Sequence, residues 1–240
     1  MSKLAVVTDF DGTLMQQDVG DLLMKTAEVE KEPAVVEAYR QFDAGQVGSM
    51  EVARTSYSFL ADRKSLVDDV IRQINPREGA ADFLDFCRKH GIPVTILSDG
   101  MEYYIREIIR KFDYQVEQII SNPIYYTEDG GYRLDFQNEN EACKWCGCCK
   151  ADVVRKLKQE GYHVLYIGDG TSDYYGSGFA DWIFARARLA GYLDEAGEAY
   201  FPFETFHDVL KVIEPDLDKF LSGEASGKRM VPNTFCLFEE

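Results

Sequence analysis

No stretch of this sequence approaches the ~20 consecutive apolar residues needed to span a bilayer, so no membrane-spanning helix is expected. The N-terminus "MSKLAVVTDF" carries one lysine and a short apolar run that ends in carboxylates rather than in small residues; we expect no signal peptide and a cytoplasmic protein. Positive charge is also scarce. Only 26 Lys and Arg face 42 Asp and Glu, a formal net charge of -16, which argues against nucleic-acid and anionic-membrane partners. It does not exclude a small anionic substrate, because a bound cation reverses the field locally. Histidine is nearly missing: His90, His163 and His207 are scattered without metal-ligand spacing and read as structural. There are no internal repeats.

The remaining composition is that of a globular chain, 45% hydrophobic and 28% charged, and 240 residues suffice for one sizeable domain with a small insert. Short apolar runs predict buried strands at "KLAVVTDF" (3–10), "IPVTILSDG" (92–100), "YHVLYIGDG" (162–170) and "DWIFAR" (181–186). Between about 18 and 75, apolar residues recur at three and four, which predicts a series of helices with no strand between them. Further helices are expected at "GAADFLDFCRKHG", "MEYYIREIIRKF", "ADVVRKLKQEG" and "TFHDVLKVIEPDLDKFL", and a hairpin around Asp129-Gly130-Gly131. Strands alternating with helices imply an α/β fold, a Rossmann-like parallel sheet with helices on both faces. We therefore expect a core of residues 1–15 and 77–222, an inserted all-helical cap at 16–76, and a tail at 223–240 that the pattern does not place.

Three predicted strands end in carboxylates: "VVTDFDGTL", "TILSDG" and "LYIGDGTSD". Ligands of open parallel sheets bind beyond the carboxyl ends of strands. If these strands are neighbours, Asp9, Asp11, Asp169 and Asp173 converge with Ser98 beside them. Carboxylates so close raise one another's pKa unless a cation holds them, and hard oxygen ligands suit Mg²⁺. Taken singly, "DFDGTL" and "SDG" also read as turns, and "GDGTSD" as a turn with Thr171 or Ser172 capping a helix.

All three together, in this order and followed by a lysine after the second, resemble the haloacid dehalogenase-like hydrolases, and the helical insert after the first motif resembles the phosphoserine-phosphatase-like branch. The resemblance implies a Mg²⁺-dependent phosphatase working through a phosphoaspartate. It implies Asp9 as nucleophile and Asp11 as acid and then base, its backbone carbonyl also on the metal. Ser98 and the Gly100 amide would hold phosphoryl oxygens, Lys150 would neutralise charge, and Asp169 would complete the metal site, with Asp173 supporting it or Lys150. Lys150, which starts a predicted helix, is preferred over Lys144, which lies inside a cysteine run. Asp11 favours phosphate esters over the dehalogenase and phosphonatase chemistries, whose branches lack it.

"LSDGMEYYIREII", "CGCCK" and "GDGTSDYYGSGFADWIFARARLAGYL" narrow the resemblance to the 2-hydroxy-3-keto-5-methylthiopentenyl-1-phosphate phosphatases of methionine salvage, over nearly the full chain except the tail. Phosphoserine, phosphoethanolamine and phosphocholine phosphatases are the alternatives. The chain departs from the pattern at Asp99, where a small residue is usual, and in carrying four cysteines (Cys143, Cys146, Cys148, Cys149) in place of two. Asp99 would weaken phosphate binding unless it points away. Asp18 is either a substrate contact or the N-cap of the first insert helix. Tyr57, Phe59, Tyr103 and Tyr104 read as core. The cysteine run is either a Zn²⁺ or redox site, which would make a non-catalytic sensing protein the distant alternative, or a packed loop of small apolar residues. The expected partner is a small phosphorylated metabolite, and a homodimer is left open.

Overall fold

The computed structural model describes residues 3–141 and 143–229. The part of the predicted tail from residue 230 onward lies outside the described residues. The chain runs β1 (Lys3–Thr8), a π-turn (Phe10–Leu14), α1 (Val19–Thr26), α2 (Pro33–Asp43), α3 (Ser49–Ser58), α4 (Lys64–Gln73), α5 (Ala80–Lys89), β2 (Val94–Met101), α6 (Glu102–Lys111) and β3 (Gln118–Asn122). It continues with β4 (Ile124–Tyr126), β5 (Tyr132–Leu134), α7 (Lys150–Gln159), β6 (Tyr162–Gly168), α8 (Thr171–Ser177), β7 (Trp182–Ala185), α9 (Ala187–Ala196), β8 (Phe201–Pro202), α10 (Phe206–Ile213) and α11 (Leu217–Ser222).

Six strands form one parallel sheet in the order β3-β2-β1-β6-β7-β8. The expected α/β architecture is therefore present. Its strands are apolar throughout because both faces are covered. The period-2 alternation divides them between two cores. Leu4, Val6, Ile96, Leu165, Ile167, Trp182 and Phe184 face one cluster with α5, α6 and α10. Val7, Leu97, Val164, Tyr166, Ile183 and Ala185 face the other, against Val153 and Val154 of α7 and Leu189 and Leu193 of α9. The chain leaves central β1 toward β2 and β3, then returns to β6 on the other side. The carboxyl ends of β1, β2 and β6 thus lie side by side at the switch in strand order.

The helical stretch α1–α4 is strapped at its root. Met15 and Pro76 form an antiparallel bridge, the Gln16 amide donates to the Asn75 carbonyl (3.0 Å), and the Arg77 amide donates to the Leu14 carbonyl (2.9 Å). The predicted β4–β5 hairpin forms and packs on these helices. Its Tyr126 hydroxyl donates to the Leu60 carbonyl (2.6 Å) and its Tyr132 hydroxyl to the Tyr57 carbonyl (2.8 Å), tying the hairpin to the end of α3.

Three differences from the sequence pattern have clear causes. β3, α9 and the two-residue β8 were not marked, because their apolar runs are short and half-buried. The terminal helix is broken into α10 and α11 by a 3₁₀ turn at Glu214–Asp216, where Pro215 removes an amide donor. Helix α6 begins at Glu102, and Met101 still belongs to β2. Phe83, fully buried on α5 with its ring 5.0 Å from that of Phe206 on α10, fixes this side of the sheet. Phe83→Ala is expected to cost about 3–5 kcal/mol of unfolding free energy in urea titrations.

Candidate active site

β1 ends at Thr8 and places Asp9 at the carboxyl edge of the sheet, only 6% exposed. Lys150, the first residue of α7 and 3% exposed, sends its ammonium between two carboxylates: Nζ donates to Asp9 Oδ1 (2.6 Å) and to Asp173 Oδ1 (2.7 Å). The Tyr166 hydroxyl on β6 also donates to Asp173 Oδ1 (2.7 Å). Asp173 Oδ2 accepts the amides of Asp169 (3.0 Å) and Gly170 (2.9 Å), closing the turn at the start of α8. Both Asp173 oxygens are therefore committed. This cap is made by Asp173 from within the helix, not by Thr171 or Ser172.

Asp169 follows β6. Its Oδ1 accepts the Thr13 hydroxyl (2.9 Å), and Arg186 approaches its Oδ2 at 3.8 Å while also pairing with Glu204. Gly12, at φ +69°, permits this contact. A Cβ there would lie 2.6 Å from Asp169 Oδ2, and the backbone itself occupies the left-handed region that glycine adopts without strain. Arg77 and Arg186 both donate to the Gly12 carbonyl and pin the turn.

Of the four carboxylates expected to meet, three do. Asp9, Asp169 and Asp173 each offer an oxygen within 4.8 Å of the others, the one such group of three or more potential metal ligands among the described residues. Asp11 turns its side chain away: Oδ1 accepts the Val19 amide (3.0 Å), and Oδ2 accepts the hydroxyls of Ser98 (3.1 Å) and Tyr104 (2.8 Å). Its carboxyl therefore stays out of the trio, and any part it plays toward a cation falls to its backbone carbonyl.

Electrostatics follow from burial. Desolvation pushes the Asp9 carboxyl well up, repulsion from Asp173 adds to it, and Lys150 only partly offsets them. Asp169 is raised by burial and then by Asp173. For Lys150, burial opposes the charged form most strongly, yet Asp173 and Asp9 together outweigh it and hold the ammonium well above its ordinary pKa. Asp11 is pushed up to about 7, by burial first and then by Asp18, against the three hydrogen bonds it accepts. With carboxylates in excess over ammonium and all the donors hard oxygens, the trio suits a divalent cation.

The other expected residues separate. The Gly100 amide donates to Ser98 Oγ (2.9 Å), so these two stay at the site. Asp99 lines the cavity and is tied to the loop before Lys150: its Oδ1 accepts the Cys148 amide (2.7 Å), and its carbonyl accepts from Asn122 (2.7 Å). Asp18 accepts the Asp21 amide (2.8 Å) and caps α1, and it also lines the cavity, so the cap and a substrate contact are compatible.

The cysteines do not gather. Cys148 is buried, its thiol donating to Gln137 Oε1 (3.1 Å) and held well above its usual pKa by burial and Asp99; Cys149 Sγ accepts instead from Asn140 (3.6 Å). Asn138 shapes the loop, donating to the carbonyls of Cys143 (3.1 Å) and Cys146 (2.7 Å). Lys144 reaches the Asn138 carbonyl (3.1 Å), away from Asp9. The zinc reading lacks its ligand set among the described residues.

Above the carboxylates opens a cavity of about 550 Å³, in the size range of small-molecule sites. Met24, Phe42, Val52, Ala53, Tyr57 and Trp145 make much of its wall. The cysteine loop meets the start of α3 here: the Met50 amide donates to the Trp145 carbonyl (3.2 Å), and the Gly147 amide to Ser49 Oγ (3.3 Å). Sequence reasoning missed Tyr104, Tyr166, Thr13 and Asn122. Each is an ordinary residue of a helix, strand or turn whose role depends on a partner far along the chain.

The family model for haloacid dehalogenase-like hydrolase matches residues 6–176, the span that carries Asp9, Asp11, Ser98, Lys150, Asp169 and Asp173. The chain belongs to this family of hydrolases. It is 28% identical to the 2-hydroxy-3-keto-5-methylthiopentenyl-1-phosphate phosphatase of Brevibacillus brevis (strain 47 / JCM 6285 / NBRC 100599), covering 88% of this chain and 96% of that one. It is 31% identical to the phosphatase of the same name from Bacillus mycoides (strain KBAB4), over 86% and 94%. Among solved structures it resembles a phospho-aspartyl intermediate analogue of phosphoserine phosphatase, with a TM-score of 0.65 at 22% identity, covering 88% of this chain and 99% of that one.

A divalent cation in hundredfold excess over its Kd is expected to add about 2.7 kcal/mol to stability. Differential scanning calorimetry should show the rise in Tm with the unaltered chain and lose it with Asp169→Ala.

Proposed function

We propose that the protein is a Mg²⁺-dependent phosphatase that hydrolyses a small phosphomonoester through a phosphoaspartate on Asp9. The observation that carries this reading is the buried Asp9–Lys150 pair beside Asp169, at the floor of a half-open cavity. Lys150 holds Asp9 Oδ1, which leaves Oδ2 to attack phosphorus. As the P–O(ester) bond breaks, Asp11 gives its proton to the departing oxygen. In the second half, Asp11 as carboxylate takes a proton from water, whose oxygen attacks phosphorus. The aspartyl P–O bond then breaks, releasing inorganic phosphate and returning Asp9. Ser98 and the Gly100 amide donate to phosphoryl oxygens. Asp9, Asp169 and the Asp11 carbonyl would hold Mg²⁺, which when bound supplies positive charge against the phosphoryl oxygens. Asp173 orients Lys150 and the turn carrying Asp169. The helices α1–α4, over residues 16–76, act as the cap that limits access to small substrates.

For the substrate we infer the enol phosphate that names the similar bacterial enzymes. Its methylthio end is apolar and suits the wall of Met24, Phe42, Val52 and Trp145. A second reading rests on the acidic rim. Asp18 and Asp21 face the same cavity and would attract the amine of phosphoserine, phosphoethanolamine or phosphocholine. The chain's excess negative charge supports neither a nucleic-acid nor a membrane partner, and among the described residues no helix is long and apolar enough to cross a membrane.

Phosphate release measured with Mg²⁺ across these esters and small sugar phosphates separates the readings. One substrate turned over with kcat/KM above about 10⁴ M⁻¹s⁻¹, and no turnover in Asp9→Asn, is the expected result. Turnover that survives in Asp9→Asn rejects the phosphoaspartate. Asp11→Asn should lower kcat/KM for an alkyl phosphate by about 10²–10⁴-fold but spare kcat/KM for p-nitrophenyl phosphate, whose leaving group needs no proton; kcat falls for both esters, because hydrolysis of the shared phosphoaspartate needs Asp11 as base. An equal loss of kcat/KM on both esters would remove Asp11 from its role as the acid.

A further inference from the structure

We propose that Tyr104 is a positioning residue for the Asp11 carboxyl, and that Tyr57 from the inserted helices completes its placement. The proposal rests on the reading of Asp11 as the acid and base. Tyr104 lies on α6, is fully buried, and directs its hydroxyl to Asp11 Oδ2 at 2.8 Å. A phenylalanine would fill the same apolar volume. The hydroxyl is retained in burial only because it is hydrogen-bonded, and the partner it has found is the functional carboxylate rather than a backbone carbonyl.

Three donors fix Asp11: the Val19 amide on Oδ1, and Ser98 and Tyr104 on Oδ2. They differ in what else they do. Ser98 sits beside the Gly100 amide, where a phosphoryl oxygen needs donors, so its hydroxyl turns from Asp11 to the phosphate when substrate enters. Tyr104 has no such second duty and keeps its hold on Oδ2 through the reaction. The backbone is shaped for this contact. A Cβ at Gly100 would lie 1.9 Å from the Tyr104 hydroxyl and 2.9 Å from Asp11 Oδ2. Glycine therefore opens the path between helix α6 and the turn after β1.

The arrangement extends into the insert. Tyr57 on α3 brings its hydroxyl to the same spot as that of Tyr104: a Cβ at Gly20 would stand 3.1 Å from the Tyr57 oxygen and 3.8 Å from the Tyr104 oxygen. The backbone carbonyl of Tyr57 is held by Tyr132 of the hairpin. The line Tyr57–Tyr104–Asp11 therefore runs from the insert to the acid. The seating of α3 over the sheet bears directly on the direction in which the Asp11 carboxyl faces.

The test compares Tyr104→Phe with the unaltered full chain, in Mg²⁺, on an alkyl phosphate and on p-nitrophenyl phosphate. A misdirected acid should lower kcat/KM for the alkyl ester by about 10–100-fold, while kcat/KM for the aryl ester loses a far smaller share; these ratios of kcat/KM are the comparison throughout. A role confined to packing predicts the same fractional loss on both esters, and that result overturns the proposal. Tyr57→Phe should shift the ratio in the same direction by less. It carries the comparison alone if Tyr104→Phe fails to give a cooperative melting transition, and an unchanged ratio there also overturns the proposal. Asp11→Asn is measured in parallel. If it splits the two esters and the tyrosine variants do not, the positioning role falls while the acid–base reading stands. If Asp11→Asn lowers both esters equally, both fall.

Discussion

The ammonium of Lys150 is the interaction on which the rest of this molecule depends. It bridges Asp9 and Asp173 in a pocket that excludes water, and it draws together four elements: the end of β1, the start of α7, the turn after β6 and the first turn of α8. Burying such charges costs more than a simple hydrogen bond returns, so the arrangement persists only because the ammonium is paired with two carboxylates and most of the surrounding acceptors are answered. Tyr166 and two backbone amides complete Asp173, and Thr13 completes one side of Asp169. The carboxylates still outnumber the ammonium. That imbalance, in a chain already carrying -16, makes a cation the natural complement of the site and explains how an acidic protein can receive a phosphate.

Around this centre the fold separates rigidity from access. The parallel sheet, packed on both faces, holds the strand ends in place. Over the cavity lie four helices whose two linkers pair with each other at Met15 and Pro76, a hairpin that grips the end of α3, and a loop that meets its beginning. Asp99 and Cys148 tie that loop to β2, directly before Lys150. The segment rich in cysteine is thus shaped by asparagine side chains and a carboxylate, and its thiols go to different partners. The same loop delivers the lysine and supplies Trp145 to the cavity wall.

Much of this was legible in the chain. The main strands were readable because a strand buried on both faces must be apolar over its whole length. Asp9, Asp11, Ser98 and Asp169 were readable because parallel strands present their carboxyl ends to one edge. Local signals also selected Lys150, since it opens a helix and Lys144 does not. β3 escaped notice because "QVEQIISN" is short and half-polar, and it becomes a strand only through β2, its one neighbour.

What the sequence by itself determined, then, is which groups reach the carboxyl edge and in what order. These follow from local periodicity and from the geometry of a parallel sheet. Tertiary structure alone decided where each side chain points once there. Asp11 turns from the carboxylate trio toward Tyr104, Asp99 accepts the Cys148 amide from the cavity wall, and Asp173 bonds the lysine. The direction of a carboxyl is set by donors that lie 93, 49 and 23 residues away along the chain, and no local pattern records contacts made across such separations.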